Sequence, residues 1–282
     1  MKLKQIAPLL IVLVITAYMS FEGGIYYSWL NRPRVLRVFF GSAAEVPEHE
    51  IVDKYEAETG VRVEATYGSA GTLLTSMMIA KVGDIYAPGS PDFMSSANKN
   101  NVTYADTVRI LAYLVPAIIV QKGNPKNITS LEDLAKPGVR VAIGDTKSVA
   151  VGVYALELLN DSNLWNAVKP NIVTYASSAP QLQSLIAIGS VDAVIGWHVF
   201  YYWNTNVSDI VWITPGKIPK ISYIPAAISK YTEDRDLAQQ FLNYLVSDEA
   251  KAFFVKYNYF STLDEAKQYA PNATVVPIIG SP

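Results

Sequence analysis

From Val35 onward the chain switches repeatedly between two hydrophobic periods, and this alternation constrains the fold more than any other feature of the sequence. "VLRVFF" carries the β-branched and aromatic residues of a strand and runs through Gly-Ser-Ala-Ala into "EVPEHEIVDKYEAETG". There Val46, Ile51, Val52 and Tyr55 recur at helical spacing, and Gly60 supplies a stop. The switch then repeats. Strands are predicted over "VRVEATY", "DIYAP", "RILAYLVPAIIVQKG", "VRVAIG", "NIVTYA", "VDAVIGWH" and "YIPAAIS". Between and after them, helices are predicted over "GTLLTSMMIAKVG", "SLEDLAKPG", "VAVGVYALELLNDSNLW", "SAPQLQSLIAIGS", "DRDLAQQFLNYLVS" and "DEAKAFFVKYNY". Strands alternating with helices need crossover connections, so the pattern predicts an α/β fold of mainly parallel sheets flanked by helices. It restarts near residue 115, with two βα units before that point and two after it. Two lobes are therefore expected: 36–116 begins lobe 1, 117–217 forms lobe 2, and 218–282 returns to lobe 1 with the C-terminal helices. "LAYLVPAIIV" and "KISYIPAAIS" are the expected crossings.

At 282 residues, half of them hydrophobic, the chain is long enough for two ordinary domains. It has no cysteine, which excludes disulfides, thiolate metal sites and a cysteine nucleophile. Two histidines, His49 and His198, are too few for a multi-histidine metal centre. A net charge of −2 without a basic cluster argues against a nucleic-acid partner. No Gly-Lys-Ser/Thr phosphate loop and no G-x-S-x-G elbow is present, and Asp84, Asp145 and Asp192 at strand ends suit turn-bracing better than catalysis. No enzyme activity is expected. Lys2 and Lys4 precede the uncharged run "IAPLLIVLVITAYMSF", so residues 1–34 read as a signal peptide or an uncleaved membrane anchor plus linker. The bulk of the chain is then expected outside the cytoplasm. Sequons at Asn101, Asn127, Asn160, Asn206 and Asn272 suit a glycosylated exported surface better than ordinary polar loops.

Four strand-to-helix turns share a small, neutral character: "FFGSAAEV", "TYGSAGTL", "SVAVGVY" and "YASSAPQL". A helix start exposes unpaired N–H groups and about half a positive charge, which suits an anion. Taken singly, each turn is better explained by helix capping; their recurrence in both halves is what brings in binding. In a parallel α/β sheet, helix starts lie at the carboxyl ends of strands, so two lobes could aim all four turns at one cleft.

From Val35 to about Phe260 the sequence resembles the substrate-binding proteins of molybdate/tungstate ABC importers, within the type II periplasmic-binding-protein superfamily. The resemblance rests on "VFFGSAAEV", "GVRVEATYGSAGTLLTSMMIAKVGDIYAPGSPDFM", "GNPKNITSLEDLAKPGVRVAIGDTKSVAVGVYALELL", "LIAIGSVDAVIGWH" and "AQQFLNYLVSDEAKAFFVKYNYF" in that order. It implies an oxyanion, molybdate or tungstate, held between two lobes without a cofactor or direct side-chain coordination of metal. Ser42 with Ala43, Ser69 with the N–H groups of Ala70 and Gly71, and the N–H of Val151 would hold it. At the fourth loop the register gives Pro180, which has no N–H, so Ser178, Ala179 or Gln181 would serve. His198 stands where the family often has a tyrosine. The resemblance also implies a monomer that meets an ABC permease and its ATPase, at a membrane reached through the N-terminal segment. Two alternatives stay open. Tyr201–Tyr202 is the kind of adjacent pair that ferric-ion receptors of the superfamily use, and sulfate is a related oxyanion. An anchored adhesion protein with no small ligand is a third reading.

Overall fold

The computed structural model describes residues 35–277, and the alternation expected from Val35 runs through them. β1 (Val35–Gly41) leads through a short 3₁₀ turn, Ser42–Ala44, into α1 (Glu45–Thr59). α1 stops at Gly60, whose φ of 68° places it in the left-handed region while its N–H donates to the Glu56 carbonyl. β2 (Arg62–Gly68), α2 (Ala70–Ala80), β3 (Ile85–Ala87), α3 (Pro91–Lys99) and β4 (Arg109–Leu114) follow. Then come β5 (Pro116–Gln121), β6 (Val141–Gly144), α4 (Ala150–Asp161), α5 (Trp165–Val168) and β7 (Ile172–Ala176). α6 (Ala179–Ala187), β8 (Ala193–Trp197), α7 (Val199–Trp203), β9 (Ser208–Val211) and β10 (Lys220–Ile228) come next. The described chain closes with α8 (Arg235–Leu245), α9 (Asp248–Lys256), α10 (Leu263–Tyr269) and β11 (Thr274–Val275).

The strands form two sheets. The first has the order β11-β10-β3-β1-β2 with β4 also paired to β10, and the second the order β7-β6-β8-β5-β9. Both are mixed, which corrects the expectation of mainly parallel sheets. β1–β3, β6–β7 and β6–β8 are parallel, whereas β10 runs antiparallel to β3 and β4, and β5 antiparallel to β8 and β9. The antiparallel members are the strands next to the passages between sheets, where the chain re-enters from the opposite direction. "LAYLVPAIIV" does cross, since β4 and β5 lie in different sheets with only Val115 between them. "KISYIPAAIS" does not: β10 lies wholly in the first sheet, and the second passage is the preceding segment 212–219. β10 is buried along its whole length, and Pro225 is accommodated at a register shift opposite β4.

β5 shows how local pattern becomes packing. Ala117 and Ile119 face one hydrophobic cluster and Ile118 and Val120 the other, so period-2 alternation buries the strand on both faces. α8 packs on β10, and α9 packs on α1. α10 instead places Ala266 in the cluster that contains Ile118 and Ile195 of the second sheet. The expected signal peptide or anchor of residues 1–34 lies outside the described residues. Among those described, no helix is long and apolar enough to cross a membrane. The five sequon asparagines are all exposed.

Candidate functional site

The starts of α2, α4 and α6 and the Ser42 turn converge on one small cavity. The first sheet contributes Ser42 and Ala43 after β1, Ser69 and Ala70 after β2, and Gly89 after β3. The second contributes Val149 to Val151, Ala179 and Trp197. No charged side chain is among the lining residues. Small residues let these backbones meet: a Cβ on Gly41 would lie 2.5 Å from the Gly89 nitrogen.

How the helices begin explains what the cavity can do. α8, α9 and α10 start away from it, and each is capped: Asp234 accepts from Leu237 N–H, Ser247 from Ala250 N–H, and Thr262 forms a capping box with Glu265. The Ser42 turn, α2 and α4 have no side-chain cap. Val149 before α4 carries no capping atom. Ser69 before α2 directs its hydroxyl to Thr72 Oγ1 at 2.7 Å. The Gly71 and Gly152 N–H groups are taken by the Ser148 and Val149 carbonyls, which leaves the N–H groups of Ala70, Ala150 and Val151 at the wall of a neutral hollow. Such an arrangement stabilises negative charge through N–H dipoles.

The structure brings Ser42, Ala43, Ser69, Ala70, Val151 and Ala179 to this cavity. It places the other sequence-predicted residues elsewhere. Gly71 N–H donates to the Ser148 carbonyl at 2.9 Å, joining α2 to the loop before α4, and Gly71 does not line the cavity. Ser178 caps α6, accepting from Gln181 N–H at 3.4 Å, and leaves Ala179 at the wall. His198 is buried beside a different pocket, with Tyr202, Trp212 and Phe260. Val115 N–H donates to its Nδ1 at 3.3 Å, so Nε2 carries the proton and donates to the Asn258 carbonyl at 3.0 Å. Burial pushes its pKa down to about 4, against backbone hydrogen bonds that raise it. A neutral, doubly bonded imidazole stacked 4.3 Å from Phe260 is a packing residue.

Tyr201 and Tyr202 also lie off the cavity, their rings edge-on at 4.9 Å. Burial raises the Tyr202 pKa, the reverse of what a tyrosinate ligand needs. No group of three His, Asp or Glu suited to a metal occurs among the described residues. The strand-end carboxylates brace their surroundings. Asp84 accepts from Arg37 N–H at 2.7 Å, Asp145 from Lys147 and Ser148 N–H, and Asp192 from Arg140.

Sequence reasoning missed Gly89 and Trp197. Gly89 sits in "APGSP", which reads only as a turn. Trp197 sits one residue before His198, which drew the attention in that stretch. The one available signal was an aromatic N–H at the carboxyl end of a strand.

Residues 36–259 match the family described as bacterial extracellular solute-binding protein. A Haemophilus influenzae relative is 29% identical over 160 residues, a match that spans 57% of this chain and 64% of that protein. The molybdate-binding protein ModA of the same organism is 26% identical over 246 residues, covering 84% of this chain and 93% of the relative. Among solved structures, the sulfate-binding protein SubI of Mycobacterium tuberculosis superposes with a TM-score of 0.74 at 16% identity, over 88% of this chain and 96% of the other. The resemblance drawn from the turn sequences is thereby borne out at the level of the family. The chain belongs to the bacterial extracellular solute-binding proteins.

Proposed function

We propose that the protein is the extracytoplasmic receptor of an ABC importer and binds a small tetrahedral oxyanion, molybdate or tungstate, between two lobes. The observation that carries this reading is the convergence of uncapped helix starts on one cavity without a charged side chain. Neutral N–H and O–H donors suit a fully ionised dianion, which accepts hydrogen bonds at every oxygen and offers none. The cavity is small: about 10 Å³ is open to the centre of a water-sized sphere, roughly the room that one water needs. That favours an inorganic ion over a larger organic phosphate. The 26% identical molybdate-binding relative supports molybdate over sulfate, which the more distant structural neighbour binds.

In this reading the lobes comprise 36–116 with 218–282, from which α10 reaches across to the second sheet's cluster, and 117–217. Val115 and the segment 212–219 form the hinge. Closure on the anion presents a surface to the permease and its ATPase, and the N-terminal segment keeps the monomeric receptor near the membrane. Calorimetry on the full chain with molybdate, tungstate, sulfate, phosphate and ferric citrate tests the assignment. Molybdate or tungstate is expected to bind at least about a hundredfold tighter than sulfate, a gap of about 2.7 kcal/mol. Equal affinity for sulfate overturns the ligand. Replacing Ser42 and Ser69 together by Ala is expected to weaken binding by about 1 kcal/mol or more per lost hydrogen bond. An unchanged affinity in that double variant overturns the site.

A further inference from the structure

Among the described residues Lys220 is the one lysine or arginine that is buried, at 7% exposure. A cation taken out of water has to be paired, and Lys220 has two carboxylates. Its Nζ lies 3.1 Å from Asp92 Oδ1 and 2.7 Å from Glu157 Oε2. The same Nζ stands 4.1 Å from the centre of the Tyr154 ring.

These partners come from different sheets. Lys220 opens β10 of the first sheet, and α3, which carries Asp92, packs on β10. Tyr154 and Glu157 belong to α4, which packs on β6 and β8 of the second sheet. Along α4, Ala150, Tyr154 and Glu157 are spaced i, i+4 and i+7, so they share one face. The first of them lines the cavity, and the other two meet Lys220. One helix face thus presents an N–H group to the cavity and, one and two turns on, the contacts that tie it to the first sheet.

We propose that Lys220 is a positioning residue for the anion site: by gripping Glu157 and the Tyr154 ring, it holds the start of α4 against the first sheet once the anion is enclosed. The inference rests on reading the cavity as an anion site. Lys220 does not line the cavity and acts only through α4. Asp92 rides with Lys220 beside the first sheet, so the Glu157 pair is the one that separation of the sheets breaks. An enclosed anion can leave only after that pair parts, whereas an entering anion arrives before the pair forms. The clamp therefore slows release and leaves capture unchanged.

The test is stopped-flow tryptophan fluorescence of the full chain mixed with molybdate and, separately, with tungstate. The dependence of the observed rate on anion concentration separates association from dissociation. Glu157→Gln removes the charge and keeps the shape, at a side chain that is 43% exposed and leaves no hole when changed. Dissociation is expected to quicken about threefold, as for a partly exposed ion pair, with association within about twofold of wild type. Lys220→Met is expected to quicken dissociation further. The double variant is expected to release no faster than Lys220→Met alone, because the pair is already broken. A general loss of fold stability would not divide the two rates in this way. If the wild-type chain binds neither anion, the reading of the cavity is overturned and the clamp with it. If it binds and Glu157→Gln releases the anion at the wild-type rate, or changes association alone, only the positioning role is overturned. Independent, multiplying effects of the two substitutions overturn it as well. Should Lys220→Met not fold, the rates of Glu157→Gln decide.

Discussion

Val115 lies between β4 and β5, and His198 follows β8; the two residues exchange hydrogen bonds across the first passage between sheets. Val115 N–H donates to His198 Nδ1 at 3.3 Å, and His198 N–H donates to the Val115 carbonyl at 3.0 Å. Burial holds the folded imidazole neutral with a pKa of about 4, while in the unfolded chain it titrates at the ordinary 6.5. As pH falls from 6.5 toward 4, the unfolded chain takes up a proton that the folded one refuses. Stability contributed by neutral His198 is therefore complete above about 6.5 and is lost at about 1.4 kcal/mol per pH unit below it. Chemical unfolding between pH 4 and 7 should show wild type losing roughly 3 kcal/mol more than His198→Gln over this interval. Parallel pH profiles for the two proteins would show that the imidazole is not buried neutral. None of this was legible in "VIGWH", because a histidine reads alike whether its partner is an anion or a backbone amide 83 residues away.

Individual elements were the most legible part of the molecule. Val46, Ile51, Val52 and Tyr55 marked α1, and Gly60 marked its end, because helical period and left-handed stops are local properties. α3, α7, α10 and β9 were not foreseen. They are short, at 9, 5, 7 and 4 residues, and lean on neighbours more than on a period of their own. α8 shows what packing adds to a legible helix. Phe241 is fully buried and meets the Tyr55 ring of α1 at 4.8 Å and 63°, tying α8 to the helix that follows β1. Phe241→Ala should lower stability by about 3–5 kcal/mol in denaturant unfolding, since the cavity left behind adds to the lost transfer energy. A loss under 1 kcal/mol would mean that α8 does not depend on this contact.

At the scale of the whole molecule, Gly71 holds the first sheet's α2 against the second sheet's Ser148 loop. Its N–H bonds the Ser148 carbonyl at 2.9 Å, and a Cβ there would lie 2.9 Å from Ser148 Cα. Asp145 fixes the receiving loop through Ser148 Oγ and the N–H groups of Lys147 and Ser148. Gly71→Val should therefore push α2 away from the Ser148 loop and open the space between the two sheets. Small-angle scattering should show a larger radius of gyration than wild type with molybdate present, and calorimetry a weaker affinity. An unchanged radius with unchanged affinity would show that the clasp does not govern closure. The α/β class, the first passage between the sheets and the small neutral turns that reach the cavity were all legible in the sequence, because periodicity, glycine and capping chemistry act within a few residues. Long-range packing settled that Trp197 and not His198 lines the cavity, that Gly71 joins α2 to the Ser148 loop, and that β10 stays in the first sheet. Those outcomes depend on partners such as Gly71 and Ser148, far apart in the chain, and no local pattern carries that information.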